Sequence, residues 1–249
     1  MLAAQRHELL LGRLRTDGRI VAKDIAAELE ISEDSIRRDL RELAAAGLCQ
    51  RVYGGALPVS PAVGDLTTRT NVQPDSKQRV AVRAARLIPP GGTAILDGGT
   101  TALAVAKSLP ADLRATIVTH SPIVASALID HAGVEIHVIG GRIFKHSAVA
   151  CGAAAVEAAS GLHADVFLMG VTGVHATEGL TTGDADEAAM KRALSRRAAD
   201  TYVLASAEKI GAASPFTVLG LNDVAGIVTD VDTASLREIA DTGVPIVPA

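Results

Sequence analysis

The chain of 249 residues is 48% hydrophobic and 21% charged, which is enough apolar sequence for a buried core divided between a small and a larger domain. Its formal net charge of −4 excludes wholesale binding to polyanions, so any contact with nucleic acid has to be local. Aromatic residues make up only 2% of the chain, which argues against recognition of single strands or RNA by base stacking.

Three helices are predicted near the N-terminus. Residues 3–16 carry leucines toward one side, and residues 22–29 place apolar side chains at the i, i+3, i+4, i+7 spacing of a helix. The third helix begins at Ser32, whose hydroxyl can cap the first turn. At about 100° per residue this helix separates two faces. The apolar face has Ile36, Leu40 and Leu43, and the basic face has Arg37, Arg38 and Arg41.

A wing is predicted to follow the third helix. Gly47 ends the helix, residues 48–53 can form a strand, and Gly54-Gly55 permits a tight hairpin. Two short helices joined by a tight turn, the second with arginines on its outer face, form the helix-turn-helix arrangement. On an isolated helix such arginines would more simply be a solvated surface, but beside a wing we expect them to contact DNA. Asp34 and Asp39 are expected to orient the arginines or to pair with a neighbouring helix.

Residues 58–76 are rich in Pro, Ser, Gly, Thr and Asn and have no regular period, which predicts a linker or a clasp between the two domains. From 77 to 249, helices alternate with apolar strands, which predicts a mostly parallel α/β sheet covered on both faces. The predicted strands are residues 93–96, 116–119, 134–139, 166–171, 202–205, 226–229 and 244–247. The predicted helices are residues 77–88, 103–109, 123–129, 153–159 and 186–198.

Glycine-rich and hydroxyl-rich turns follow several of these strands. Ligands of open parallel sheets bind at the carboxyl ends of strands, and Asp97-Gly98-Gly99-Thr100-Thr101 is the first such turn. Its glycines allow close backbone approach, and the helix start that follows offers N–H groups to an anion such as phosphate. A plain tight turn would also explain this motif taken alone. Further turns at residues 119–122, 140–141 and 170–173 strengthen the prediction of a binding site.

Charged side chains downstream fit the same prediction. Glu187 and Lys191 share a predicted helix, and Lys209 follows a late strand. A lysine can neutralise a phosphate, while a carboxylate such as Asp97 or Glu187 suits sugar hydroxyls. Glu187 and Lys191 could equally be a surface pair at i and i+4.

Cysteine and histidine usage gives no sign of a metal or a disulfide. Cys49 and Cys151 lie far apart without metal-ligand spacing, and the seven histidines are scattered. We find no positively charged leader and no apolar run of roughly 18 residues. We therefore expect a cytoplasmic protein with reduced thiols, no membrane contact, no metal site and no cofactor.

The run Ser32-x-x-Ser35-Ile36-Arg37-Arg38-Asp39-Leu40, followed by Gly47 and by residues 51–56, resembles the DNA-binding signature of the DeoR family of bacterial transcriptional regulators. The family usually has Thr in place of Ser35 and often His in place of Tyr53. The resemblance implies a winged helix-turn-helix over residues 1–57 that binds double-stranded operator DNA. The residues expected at the DNA are Ser32, Ser35, Arg37, Arg38, Arg41, Arg51 and Tyr53.

The rest of the chain resembles the DeoR sensor domain. The motifs are the turn at 97–101, Thr119-x-Ser121, Gly140-Gly141, and residues 169–173, 179–182 and 187–191. This resemblance implies a fold like that of ribose-phosphate isomerase and glucosamine-phosphate deaminase, a phosphorylated sugar as effector, and a homo-oligomer, either a dimer or a tetramer. The expected effector contacts are Asp97, Gly98, Gly99, Thr100, Thr101, Ser121, Gly141, Gly170, Thr172, Glu187, Lys191 and Lys209.

The sequence departs from the family pattern at one place. Where the family commonly has Asp-x-Ser-Lys, this chain has Ala205-Ser206-Ala207-Glu208-Lys209, which lacks the Asp and separates the Ser from the Lys.

Three functions are compared. The first is a transcriptional regulator, a repressor of a carbohydrate operon that a sugar phosphate modulates, with no catalytic residues. The second is a phosphosugar isomerase with an appended DNA-binding domain, but the loop at residues 170–173 lacks the acidic cluster that such enzymes carry there. The third, a nucleotide-binding module, is weaker because neither G-x-G-x-x-G nor a Walker lysine motif occurs.

Overall fold

The computed structural model describes residues 2–249. Its helices are α1 (Ala3–Asp17), α2 (Ala22–Glu28), α3 (Glu33–Ala45), α4 (Leu66–Thr70), α5 (Pro74–Ala85), α6 (Thr100–Lys107), α7 (Pro122–Leu128), α8 (Ala153–Ala159), α9 (Ala185–Ser195) and α10 (Arg237–Ala240). Its strands are β1 (Ile20–Val21), β2 (Gln50–Val52), β3 (Gly55–Leu57), β4 (Thr93–Leu96), β5 (Ala115–Thr119), β6 (Val134–Val138), β7 (Arg142–Phe144), β8 (Val149–Cys151), β9 (Ala164–Gly170), β10 (Gly173–His175), β11 (Gly179–Thr182), β12 (Ala198–Leu204), β13 (Phe216–Leu219), β14 (Gly226–Thr229) and β15 (Ile246–Pro248). No helix in this described part of the chain combines the length and the apolar character needed to cross a bilayer.

The N-terminal helices pack around one apolar cluster. Leu10 and Leu14 of α1 meet Ile36 and Leu40 of α3 in this core, as the predicted helix faces require. Strands β1, β3 and β2 form a small antiparallel sheet, in which the β2–β3 hairpin is the predicted wing. Gly55 is needed in β3 because a Cβ there would lie 1.7 Å from the carbonyl oxygen of Ile20.

The segment predicted as a linker is partly helical and packs on the larger unit. A 3₁₀ turn at Pro61–Val63 and helix α4 lie within residues 58–76, and α5 begins at Pro74 rather than at residue 77. Val59 pairs with Ala213 through an isolated β-bridge. The segment is therefore bound along its length to the α/β unit in this structure.

A seven-stranded sheet organises the larger unit. Its order is β15-β14-β12-β9-β4-β5-β6, and all its neighbouring strands are parallel. The chain runs outward from β4 through β5 to β6 and then returns to β9, from which it runs outward the other way. The strand order thus reverses between β4 and β9, where open α/β sheets bind ligands beyond the carboxyl ends of the strands.

Alternate residues of the central strands enter two different cores. Phe167 and Met169 of β9 belong to the core on one side of the sheet, whereas Val166 and Leu168 belong to the core on the other side. A parallel strand buried on both faces needs a continuous apolar run, and Val166-Phe167-Leu168-Met169 supplies it. The predicted α/β architecture is confirmed.

Several short strands were not predicted. Strands β7 and β8 form a hairpin, and β10, β11 and β13 form a three-stranded antiparallel sheet beside the main one. Each has only three or four residues, too few to show a period of two in the sequence.

Candidate functional site

Helix α3 presents the predicted DNA-reading face. The Ser32 hydroxyl caps the helix by accepting the backbone N–H of Ser35 at 3.3 Å. Arg38 and Arg41 are exposed. Arg37 donates to Glu33 one turn earlier at 2.6 Å, so part of its charge is already neutralised on the helix.

The wing lies near this face. Arg51 is exposed on β2, and Tyr53 at the hairpin turn is fully exposed to solvent. The pKa of Arg37 is raised, mainly by its hydrogen bond with Glu33, and Tyr53 at the tip of the wing makes a small further contribution. The seven residues predicted at the DNA all belong to α3, its N-terminal cap and the wing.

Asp39 on α3 does not face the arginines. It is buried and accepts two hydrogen bonds from Arg6 of α1, at 2.6 and 2.9 Å. Burial raises the pKa of Asp39, but the hydrogen bond and the charge of Arg6 outweigh this and lower it. Asp39 was expected either to orient the arginines or to pair with a neighbouring helix. The structure shows the second role, an ion pair that fixes α3 against α1.

A polar cleft opens beyond the carboxyl ends of β4 and β9. The turns that follow Asp97 and Gly170 lie side by side and form its floor. Residues of α5, of α9 and of the segment before α5 form its sides. The cleft is lined by Ala62, Arg69, Lys77, Gly98, Gly99, Thr100, Thr101, Ser147, Gly170, Val171, Thr172, Thr182, Glu187, Lys191, Glu208 and Lys209. Its volume is about 30 Å³, and an adjoining cavity of about 340 Å³ shares Ala62, Arg69, Ser147, Thr172 and Glu187 with it.

Nine of the twelve residues predicted to contact an effector line this cleft, and three do not. Asp97 is fully buried beneath it. Ser121 is buried and donates to the carbonyl of Ala148 at 3.2 Å, so it holds the loop that carries Ser147. Gly141 packs close to Ala155, outside the cleft.

Asp97 is the centre of a buried hydrogen-bond network. One carboxylate oxygen accepts the backbone N–H of Gly98 and His120 Nε2, both at 2.8 Å. The other oxygen accepts the backbone N–H of Gly170, at 2.8 Å, and the Lys191 ammonium. Burial alone would raise the pKa of Asp97, but the charge of Lys191 and the hydrogen bond from His120 hold it well below its usual range. Asp97 therefore ties β4, β9 and α9 together and positions the cleft without facing it.

Four cationic side chains and two carboxylates line the cleft. Burial lowers the pKa of Lys209 to about 8, although the neighbouring Glu208 opposes the shift. Lys209 donates to the Thr101 hydroxyl at 3.1 Å and to the carbonyl of Leu204 at 2.9 Å. Burial also lowers the pKa of Lys77, which lies 3.7 Å from Glu208. The buried excess of cations would favour an anionic ligand over a neutral or cationic one.

Arg69 reaches into the cleft from α4. It is about 9% exposed, and its Nη2 donates to the carbonyl of His146 at 3.3 Å and to the Ser147 hydroxyl at 3.4 Å. Its Nη1 approaches the Gly98-Gly99 turn, 3.6 Å from where a Cβ on Gly99 would be. Burial lowers the pKa of Arg69, against the carboxylates of Glu187, Asp65 and Asp97.

Sequence reasoning missed Arg69, Lys77, Ser147 and Glu208 as lining residues. Arg69 lay in the predicted linker, and Lys77 was taken only as the start of a helix. The Lys77 ammonium donates to the backbone carbonyls of Arg69 and Val72, so Lys77 is fixed next to Arg69. Basic residues in a segment rich in Pro and Thr were the available signal, but nothing in their spacing indicates that they approach the end of a strand later in the chain.

One group in the described chain has metal-ligating side chains close together, namely His7, Asp39 and Glu42. Asp39 already pairs with the Arg6 guanidinium through both carboxylate oxygens. A cation at this position would lie next to that positive charge, so the geometry favours the ion pair between helices.

Comparison with known proteins gives two family matches. The model of the DeoR-like helix-turn-helix domain matches residues 6–62, and that of the DeoR C-terminal sensor domain matches residues 72–231. A relative from Bacillus subtilis (strain 168), the HTH-type transcriptional repressor GlcR, is 31% identical over 92% of this chain and 89% of its own length. The regulator GlpR of Haloferax volcanii is 32% identical over 99% of this chain and 98% of its own length.

The glycerol-3-phosphate regulon repressor of Escherichia coli (strain K12) is 29% identical over 92% of each chain. Among solved structures, ribose 5-phosphate isomerase A from Methanocaldococcus jannaschii aligns with 55% of this chain and 54% of its own, at 17% identity and a TM-score of 0.41.

Proposed function

This chain belongs to the DeoR family of transcriptional regulators, and we propose on that basis that it is a repressor of a carbohydrate operon whose effector is a phosphorylated sugar. Its relatives are named as repressors and regulators rather than as enzymes. The observation that carries the proposal is the cleft, because its buried cations come both from the α/β unit and from the segment that leads to the DNA-binding unit.

The DNA-binding surface is α3 with its wing. Arg38, Arg41 and Arg51 are exposed and contact phosphates or guanine edges in the major groove. The surrounding unit has few spare positive charges, so a single copy binds weakly and in a salt-sensitive way. A homo-oligomer, a dimer or a tetramer acting on chromosomal DNA in the cytoplasm, would hold two α3 helices at a spacing of about one DNA turn.

The effector's phosphate lies at the start of α6. The first turn of a helix presents N–H groups that have no partner inside the helix, and Thr100 and Thr101 add hydroxyls there. Arg69 and Lys209 flank the same position and supply charge-assisted hydrogen bonds. Glu187 lines the cleft on the α9 side and accepts a sugar hydroxyl.

Arg69 connects effector binding to the DNA-binding unit. The cleft is small, so a sugar phosphate has to displace a lining side chain. Arg69 is one of five residues, with Ala62, Ser147, Thr172 and Glu187, that line both the cleft and the 340 Å³ cavity. Arg69 belongs to α4, within the segment that leads to the DNA-binding unit, so a change in its position on effector binding would be passed to that segment through α4. The effector changes DNA binding only to the extent that it binds the DNA-bound and the DNA-free arrangements of the two units with different affinity.

A mobility-shift titration with the DNA upstream of the gene tests the DNA-binding part. Replacing both Arg38 and Arg41 by Ala should abolish the shift. The matched control replaces Arg86 and Lys107, two exposed cations on the far unit, and should bind like the parent protein. Equal loss in both double variants would contradict the assignment of α3.

A panel of sugar phosphates tests the effector part by two readouts, release of that DNA and a rise in melting temperature. Arg69→Met should bind DNA normally but should lose release by every sugar phosphate. Release of DNA from Arg69→Met at the parent's effector concentration would refute the proposed role of the cleft.

A further inference from the structure

We infer that Glu208 selects the effector: it accepts a hydrogen bond from a hydroxyl of a singly phosphorylated ligand and excludes ligands that carry a second acidic group at that position. This inference rests on the proposed function and concerns specificity within the same cleft.

Glu208 is a buried carboxylate that is only half satisfied. It lies in the 3₁₀ turn Ala207–Lys209 after β12, and its side chain is 4% exposed. Its Oε1 accepts the Ser206 hydroxyl at 2.8 Å and lies 3.7 Å from Lys77 Nζ. Its Oε2 is buried and has no hydrogen-bond partner among residues 2–249.

An unpartnered oxygen on a buried carboxylate calls for a donor from elsewhere. Leaving it unpaired costs more than for a neutral group, and buried polar atoms are paired in nearly all proteins. Ser206 holds Oε1, so the carboxylate cannot turn freely to satisfy Oε2 from solvent. Because Glu208 lines the cleft, a ligand in the cleft is the available donor.

The cleft has a second unpartnered buried atom, Nε of Arg69, and this one is a donor. Burial lowers the pKa values of Arg69, Lys77 and Lys209. Arg69 Nε offers an unpartnered donor and Glu208 Oε2 an unpartnered acceptor, so a ligand that satisfies both must supply an acceptor and a donor.

A sugar monophosphate has both groups in one molecule. Its phosphate accepts from Arg69 and the start of α6, and one of its hydroxyls donates to Glu208. An ionised phosphate or carboxylate next to Glu208 has no proton to share and repels it.

Calorimetric titration of the full-length protein tests the inference. The probes are inorganic phosphate, a panel of sugar monophosphates (glucose 6-phosphate, fructose 6-phosphate and fructose 1-phosphate), and fructose 1,6-bisphosphate. Removing a negative charge strengthens binding of every anion, so each Kd is expressed relative to that of inorganic phosphate. In Glu208→Gln, the affinity of the best monophosphate relative to inorganic phosphate should fall about tenfold, because one charge-assisted hydrogen bond is lost. The affinity of the bisphosphate relative to the monophosphate should rise.

Two further variants serve as controls. Glu157→Gln removes the same charge from an exposed position on α8 and should leave every ratio unchanged. Glu208→Asp keeps the charge but shortens the reach, so it should lose monophosphate affinity and still exclude the bisphosphate. If Glu208→Gln folds poorly, the loss of monophosphate affinity relative to inorganic phosphate in Glu208→Asp tests the hydrogen bond instead.

Two Kd ratios decide the outcome, monophosphate to inorganic phosphate and bisphosphate to monophosphate. If monophosphates bind and both ratios are the same in Glu208→Gln and in the parent protein, the inference is wrong while the proposed function stands. If no phosphate compound binds the parent protein, the proposed effector class and this inference fall together.

Discussion

Replacing Asp97 by Asn should destabilise the protein by about 4 kcal/mol, because it leaves a buried ammonium without its counter-ion. The Asp97 side chain is 0% exposed and that of Lys191 is 6% exposed, so solvent screens the pair very little. Removing one partner of a buried pair costs about 3–5 kcal/mol. Asn can still accept the N–H of Gly98 and His120 through its oxygen, but its NH₂ group then faces two donors, the N–H of Gly170 and Lys191.

Urea unfolding monitored by circular dichroism measures this cost, and a double-mutant cycle assigns it. Lys191→Met removes the ammonium, so the double variant should be more stable than the sum of the single costs predicts, by about 2 kcal/mol. Because the folded pKa of Asp97 is lowered, its contribution is present above the unfolded pKa of about 3.9 and is lost as the pH falls through the folded value. The difference between parent and Asp97→Asn should therefore be constant above about pH 5. A cost below about 1 kcal/mol, or strict additivity in the cycle, would refute the reasoning.

Three other predictions follow from the structure. Effector affinity should fall about tenfold between pH 7 and pH 9, since Lys209 with a pKa of about 8 loses its proton there while a phosphate stays dianionic. Lys209→Met should bind weakly without this pH dependence, and a parent-like profile in that variant would exclude Lys209 as the cause. Arg38→Ala should weaken DNA binding and reduce the slope of log K against log salt by about 1, as measured by fluorescence anisotropy; an unchanged slope would mean that Arg38 contacts no phosphate. Gly55→Ala should unfold the winged unit because of its clash with Ile20, whereas Gly12→Ala, with open space around it, should be neutral or stabilising by up to about 1 kcal/mol in thermal melts. Equal melting temperatures for the two glycine variants would contradict that clash.

Sequence patterns predicted the fold well where an apolar run or a helical stripe fills the whole element. The bounds of β4, β14 and α8 agree with the predicted ranges, because an apolar run or a helical stripe fills each element. Strand β12 begins at Ala198, four residues before the predicted start, since Asp200 and Thr201 interrupt its apolar run. These residues extend the strand by pairing with β9, which is a tertiary contact and leaves no local signal.

The cleft shows a similar division. Gly98, Gly170 and Lys209 follow strands, and the rule for parallel sheets was enough to bring them together. The rule does not say whether a polar residue at a strand end faces the ligand or the sheet. Asp97 faces inward because two backbone N–H groups and two side chains converge on it, and this convergence depends on β5 and α9. Arg69 could not be predicted, because its position depends on how the chain between the two units folds back.

The narrowness of the cleft has a consequence for kinetics. Under the proposed function, a sugar phosphate is larger than a volume of about 30 Å³, so it enters only when lining side chains such as Arg69, which donates to Ser147, move aside. The observed rate of association should then level off as the ligand concentration rises, at the rate of that opening step, well below the diffusion limit. Once the Arg69 guanidinium has closed on the ligand, dissociation of the ligand requires the same opening step. The protein would respond to the sustained presence of its effector and ignore brief pulses.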